Sequence, residues 1–430
     1  MPSGDWAAPT ASGPVDADIL LPGSKSLTNR YLVLGALACG TSRLRAPLRS
    51  RDTLLMAAAL RTLGAIVEDV DEVDWLVTPA DLARGGDIDC GLAGNVMRFV
   101  PPIAALSTAP VHFDGDPPAR RRPMAPVLDA LRQLGVAVED EGRGTLPFTV
   151  RGTGAVPGGT VTLDASASSQ FVSGLLLSGA RFRQGLTLHH EGPTMPSLPH
   201  IEMTVEALRD AGVVVEDADP RTWRVEPSEI RALDVQVEPD LSNAAQFLGA
   251  ALVTGGRVHV PGWPQHTTQG GDFIRDILDM MGADVVLDRS GLTVTADGAI
   301  SGIDVDLHDS SELTPVVAAL CALADSPSRI AGVAHIRGHE TDRLAALRTE
   351  LSSLGAQVLE TDDGLRITPA PMRGGTIETY ADHRMVMAGA VLGLAIPGVV
   401  VRDVGTVSKT MPGFTDLWSD MLEHQVPAAP

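Results

Sequence analysis

Apolar positions along this chain recur at helical spacing in segments that end in glycine, and a short β-branched or acidic run follows each. The pattern spans residues 55–64 with 65–68 behind it, 127–135 with 136–139, and 204–212 with 213–216. It returns at 273–282 with 283–286 and at 344–355 with 356–359, and a sixth copy begins at Phe414-Thr415-Asp416-Leu417. Apolar residues three and four apart line one helix face, the closing glycine supplies a left-handed cap, and the run behind it reads as a strand. Copies stand roughly 70 residues apart, too long for a solenoid repeat and suited to a small α/β unit. Six such units predict an α/β protein of two lobes, three units in each. The break is expected near Val237-Glu238-Pro239-Asp240, where proline and acidic residues interrupt the apolar pattern. A leading segment that starts in one lobe and crosses to the other would make a double hinge, with the ligand site in the cleft between lobes.

Before the first copy, an apolar run at 19–21 breaks at Pro22-Gly23, and Ser24, Lys25 and Ser26 lead into an amphipathic segment at 31–39. The order predicts strand, tight turn and helix start. A helix N-terminus offers unpaired N–H groups and a positive dipole end, suited to phosphate or carboxylate. Lys25, Ser26 and Arg30 add a point charge, a hydroxyl and a fork of donors within about one turn. Lys25 and Lys409 are the only two lysines in the chain. Lysine exchanges its proton where guanidinium does not, so their retention beside so much arginine marks both as candidates for chemistry.

Composition narrows the class. With 430 residues and 44% hydrophobic content the chain can fill two to three domain cores. Its net charge of −21 argues against nucleic-acid and anionic-membrane binding, since the long-range field repels polyanions. Small anionic ligands would then need a local cluster of arginine and lysine. No apolar run reaches the ~20 residues of a membrane span, and residues 1–18 lack the basic start of a secretory signal. Cys39, Cys90 and Cys321 are odd in number and far apart, which fits neither a disulfide framework nor a zinc site and suits a reducing compartment, so a cytoplasmic protein is expected.

Several loops concentrate charge. Gly91 to Arg98 sets small residues before an arginine, Arg120-Arg121-Arg122-Pro123 is basic, and Ser166-Ala167-Ser168-Ser169-Gln170 offers hydroxyls and an amide. Glu312 precedes an apolar helix, and the stretches at 338–343 and 380–384 each combine acid, histidine and arginine. Neither histidine stretch has metal-ligand spacing, so no metal is expected. A phosphate loop is excluded because Ser24 separates Gly23 from Lys25 and Asp18 stands five before Gly23.

Read in order, Leu21-Pro22-Gly23-Ser24-Lys25-Ser26, Ala93-Gly94 with Met97-Arg98, Arg122-Pro123, Ser168-Ser169-Gln170, Glu340-Thr341-Asp342-Arg343, Asp382-His383-Arg384 and Lys409-Thr410 resemble the 5-enolpyruvylshikimate-3-phosphate synthase family over nearly the whole chain. The Gly-His-Glu-Thr-Asp-Arg stretch is similar to actinobacterial members. The resemblance implies a two-lobed enolpyruvyl transferase fold, an inside-out α/β barrel of six repeated βαβαββ units, three per lobe. One discontinuous lobe would comprise 1–21 and 241–430, the other 22–240, with the active site in the interlobe cleft. It also implies transfer of the enolpyruvyl group of phosphoenolpyruvate to the 5-hydroxyl of shikimate-3-phosphate by addition and elimination, with no cofactor. Phosphate leaves by C–O cleavage, so arginine and lysine can hold the charges.

By this resemblance Lys25, Ser26, Arg30, Ser168, Ser169, Gln170, Ser197, Glu312 and His339 bind shikimate-3-phosphate. Lys25, Gly94, Arg122, Gln170, Arg343, Arg384 and Lys409 bind phosphoenolpyruvate. Lys25, Glu312 and Glu340 are the catalytic candidates: Glu312 as base for the 5-hydroxyl, Glu340 or Lys25 as acid for the methylene carbon. Glyphosate is an expected competitor, and a monomer is expected. Some positions depart from the family pattern. Glu312 stands where aspartate is frequent, His339 where lysine is usual, His335 where asparagine is common, and Leu92, Asn95 and Phe99 alter the loop around Gly94. Histidine at 339 predicts an acceptor affinity that falls as pH rises through its titration. The alternatives are a UDP-N-acetylglucosamine enolpyruvyl transferase, whose typical loop cysteine near Arg120-Arg121-Arg122 is missing here, and a non-catalytic anion-binding relative.

Overall fold

A computed structural model describes residues 4–71 and 73–423 of the chain; the ends of the expected discontinuous lobe, 1–3 and 424–430, lie outside the described residues. The chain forms two compact units, Gly23–Val237 and the discontinuous Met1–Pro22 with Glu238–Pro430. Each has a separate hydrophobic core.

In the unit Gly23–Val237, three four-stranded sheets share one plan. Gly86–Asp89 pairs in parallel with Pro110–Asp114, which lies antiparallel to Phe148–Arg151, which in turn takes Ala137–Glu139 antiparallel at the edge. Gly159–Leu163, Leu186–His190, Thr222–Val225 and Val215–Asp219 repeat the order. Asp234–Gln236, Ser42–Arg45, Asp74–Thr78 and Ile66–Val70 repeat it again, the first strand arriving from the far end of the unit. Three long helices, Lys25–Leu37, Gly94–Ala104 and Gln170–Gly179, are buried along nearly their whole length. They approach closely because the contact is bare: a Cβ on Gly174 would lie 2.2 Å from the carbonyl oxygen of Arg98.

The other unit has two four-stranded sheets of the same order. One joins Asp16–Asp18, Arg257–Pro261, Gly291–Thr295 and Asp284–Leu287, and the other Asp304–Asp306, Ser328–Ala331, Leu365–Thr368 and Gln357–Glu360. A three-stranded sheet adds Trp6–Ala7, Val400–Val401 and Thr376–Ile377. Helices Leu241–Thr254, Thr314–Leu323 and His383–Ala395 fill its core. The long central helices of both units are buried and the sheets expose one face, as in Leu365–Thr368, where Leu365 and Ile367 are buried and Arg366 and Thr368 exposed. The sheets are open strips of three or four strands, with no closed strand barrel among the described residues.

Local departures from the sequence reading have clear causes. The helix at 25–37 is buried all round rather than amphipathic. The strand before the Pro22-Gly23 turn is Asp16–Asp18 and not the run at 19–21: Ala17 faces inward while Asp16 and Asp18 both reach Arg257 on the paired strand, at 2.9 and 3.2 Å, leaving Leu20 exposed. The helix expected from 204 starts at Pro199, since proline fits the first helical turn and carries no periodic apolar signal.

Candidate active-site residues

Helix N-termini gather the candidates in the unit Gly23–Val237. Ser24 caps Lys25–Leu37 by accepting from Leu27 N, which places Lys25 in the first turn. The Lys25 ammonium lies 3.6 Å from Asp52, a buried carboxylate in the first turn of Arg51–Leu63. Arg30, one turn on, is buried and satisfied by its own unit. It donates to Thr204 Oγ1 at 2.8 Å, Ser26 O at 2.9 Å and His200 O at 2.7 Å, and lies over the Phe99 ring. Burial lowers its pKa, with no carboxylate in salt-bridge range among the described residues.

Gly94 begins the helix Gly94–Ala104, and a Cβ there would meet Arg98 Nη1 at 2.7 Å, Arg122 Nη2 at 3.1 Å and Gln170 Oε1 at 3.1 Å. Two guanidinium groups and an amide thus converge on a point that only glycine leaves open. Arg122 donates to Leu92 O at 3.2 Å, and its buried Nε has no hydrogen-bond partner, as expected of a group built to meet an anion. Ser168 Oγ accepts from Gln170 N at 3.3 Å, and buried Ser169 directly precedes the helix Gln170–Gly179. Ser197 is buried with φ 52°, a left-handed position that costs a non-glycine residue of order 1 kcal/mol and is held by the turn its carbonyl makes with His200 N.

In the other unit, Arg343 opens the helix Arg343–Leu354 and is buried against two carboxylates: Asp382 at 2.7 Å and Glu340 at 2.9 Å. Burial pulls its pKa down, but the charges of Asp382 and Glu340 outweigh that and the net shift is upward. Glu340 bridges onward, its other oxygen accepting from Lys409 Nζ at 2.5 Å. Asp382 also caps His383–Ala395 by accepting from Arg384 N. Tyr380 and Ala381, both at positive φ, lead into it. The Tyr380 hydroxyl donates to Glu350 at 2.6 Å, and Glu378 N donates to the same carboxylate. Arg384 donates to Ser242 O at 3.0 Å, and burial, with Arg343 adding to it, holds its pKa below the usual arginine range against the raising effect of Asp240. Glu312 lies in the 3₁₀ turn Ser311–Leu313. Ser242 Oγ donates to its Oε1 at 3.2 Å, and its buried Oε2 has no hydrogen-bond partner.

Three histidines follow one another beside this set: His308 and His335 with ring centres 5.6 Å apart, His335 and His339 5.8 Å apart. His335 Nε2 meets Ser311 Oγ at 2.9 Å. His339 Nδ1 lies 3.3 Å from Arg343 Nη1. Arginine only donates, so Nδ1 accepts and the ring carries its proton on Nε2.

Two contributors were not picked out as site residues beforehand. Asp382 was legible as an N-cap, an aspartate directly before a helical pattern. Ser242 carries no sequence signal, because its role depends on a partner 70 residues away.

Solved structures with a like fold are enolpyruvyl transferases. EPSP synthase of Acinetobacter baumannii superposes with a TM-score of 0.82 at 23% identity, covering 97% of this chain and 98% of that one. The enolpyruvyl transferase NikO of Streptomyces tendae gives 0.76 at 19% identity, covering 98% of each. The fold is therefore that of the enolpyruvyl transferases. Sequence narrows it further. The 3-phosphoshikimate 1-carboxyvinyltransferase of Kocuria rhizophila is 58% identical over 97% of this chain and 96% of its own length. A model of the EPSP synthase (3-phosphoshikimate 1-carboxyvinyltransferase) family matches residues 9–418, and the chain belongs to that family.

Proposed function

We propose that this chain transfers the enolpyruvyl group of phosphoenolpyruvate to the 5-hydroxyl of shikimate-3-phosphate, a step of aromatic amino-acid biosynthesis. The C2–O bond to phosphate breaks, a bond from C2 to the 5-oxygen forms, and C3 gains and then loses a proton. The observation that carries the reading is Glu340, a carboxylate held between Arg343 and Lys409. Those are two cations expected to grip phosphoenolpyruvate, and Glu340, with Lys25, is the candidate to exchange the proton at its methylene carbon. Arg122, with the open point before Gly94, receives the same substrate, while Lys25, Ser168, Ser169, Gln170 and Ser197 address shikimate-3-phosphate. Glu312, with one oxygen unpartnered, is the base for the 5-hydroxyl.

Each unit supplies part of this set. Glyphosate, an anion of similar charge, competes for the phosphoenolpyruvate position. Three widely spaced cysteines fit the cytoplasm, where we place the protein as a monomer.

Phosphate release from phosphoenolpyruvate tests the reading. Release should require shikimate-3-phosphate, survive chelator and fall at least about a hundredfold in Lys25→Ala, the scale of losing one charge-stabilising donor. Release with UDP-N-acetylglucosamine instead would transfer the assignment to the sister reaction, and silence with both would leave an anion-binding protein.

A further inference from the structure

Ser242 stands in the first turn of the helix Leu241–Thr254, behind the cap Asp240, whose carboxylate accepts from Asn243 N at 3.0 Å. Two of its atoms face candidate machinery. The hydroxyl donates to Glu312 Oε1 at 3.2 Å, and the carbonyl accepts from Arg384 Nη1 at 3.0 Å. The other side is bare backbone. A Cβ at Gly270 would lie 3.2 Å from Glu312 Oε1, and one at Gly271 would lie 2.8 Å from Ser242 Oγ. Glu312 Oε1 is therefore confined between a hydroxyl donor and a glycine, while Oε2 is buried with no hydrogen-bond partner.

A carboxylate free to rotate about its last bond presents its lone pairs over a wide arc, whereas one pinned at a single oxygen presents the other along a fixed line. We propose that Ser242 is a positioning residue for Glu312. Its hydroxyl fixes Oε1 so that Oε2 meets the proton of the acceptor hydroxyl, and its carbonyl ties that carboxylate to the arginine gripping the donor substrate. The inference rests on Glu312 acting as the base.

Steady-state kinetics of Ser242→Ala, Glu312→Gln and the double variant test it. A lost hydrogen bond to a charged group should lower kcat roughly ten- to a hundredfold in Ser242→Ala. The KM for phosphoenolpyruvate should stay within about twofold, because the carbonyl that holds Arg384 is backbone and remains; a general disturbance of the helix start would raise it. In the Glu312→Gln background the same change should cost less than about threefold, since there is no base left to aim. An equal loss of kcat in both backgrounds, an unchanged kcat, or a raised KM without a kcat effect would overturn the proposal. Full kcat in Glu312→Gln would remove the base reading and the proposal with it. Should Ser242→Ala not fold, Ser242→Cys decides the matter: the thiol keeps the size but is only a weak donor, and it should give a kcat loss of the same sense and the same suppression.

Discussion

Gly94 shows how much a single atom controls. Its missing Cβ leaves open the point on which Arg98, Arg122 and Gln170 converge. A methyl there would push the tips of two guanidinium groups off the point they share, and overpacking costs at most about 1–3 kcal/mol. Gly94→Ala should therefore raise the KM for phosphoenolpyruvate by roughly tenfold and raise the inhibition constant for glyphosate more, because the inhibitor is the longer occupant. Competition kinetics that showed equal loss for both would refute the crowding argument. The glycine was visible in the sequence as a small residue before an arginine, but the convergence was not. Arg98 and Arg122 are far apart in the chain, and their approach follows from packing that no local pattern encodes. Arg30 makes the converse point. Its motif marked it for ligand binding, yet the structure buries it among its own unit's carbonyls and hydroxyls, so its share in binding stays an open proposal.

At the scale of elements, helix caps do much of the arranging. Ser24 and Asp382 cap helices whose first turns carry Lys25 and Arg384, while Asp342 caps the helix that opens with Arg343. A capped N-terminus fixes backbone direction within one residue, so the side chain just behind it is placed accurately. Asp382 does this twice over, capping Arg384 N and holding Arg343 through both oxygens. Asp382→Ala would leave the buried Arg343 with Glu340 as its remaining ion-pair partner among the described residues. Breaking a buried ion pair from one side costs about 3–5 kcal/mol, or a Tm drop of about 10 °C for a unit of this size. A thermal melt that moved less than about 2 °C would show that Glu340 alone neutralises Arg343. The helix, glycine and strand succession was legible because both periodicity and cap chemistry are local: Gly64, Gly135, Gly212, Gly282 and Gly355 all take positive φ behind their helices. Helix starts were read less well. The first turn here is specified by a proline behind a left-handed Ser197, as at Ser197 to Pro199, rather than by apolar spacing.

For the whole molecule, net charge and substrate charge look opposed, and the distribution of ion pairs resolves the conflict. Many exposed arginines are spent on exposed carboxylates, among them Arg45 with Asp234, Arg151 with Glu139 and Arg257 with Asp16. The surplus acid therefore lies on the surface, while Arg122, Arg384 and Lys409 stand at the candidate sites. The candidates are divided between two units, and the chain passes from one to the other at Pro22 to Gly23 and Val237 to Glu238. If phosphoenolpyruvate needs Arg122 from one unit and Arg343, Arg384 and Lys409 from the other, its binding energy favours whichever arrangement brings all four to it. A ligand shifts a conformational equilibrium only by its differential affinity for the two states, and an anion that must be gripped by both units has a large one. Shikimate-3-phosphate with glyphosate, which together occupy both substrate positions without turnover, should therefore lower the radius of gyration in small-angle X-ray scattering. Either ligand alone should lower it less. A scattering curve unchanged at saturation by both would mean that the units need no closure, and that each half of the machinery binds its substrate where it already stands.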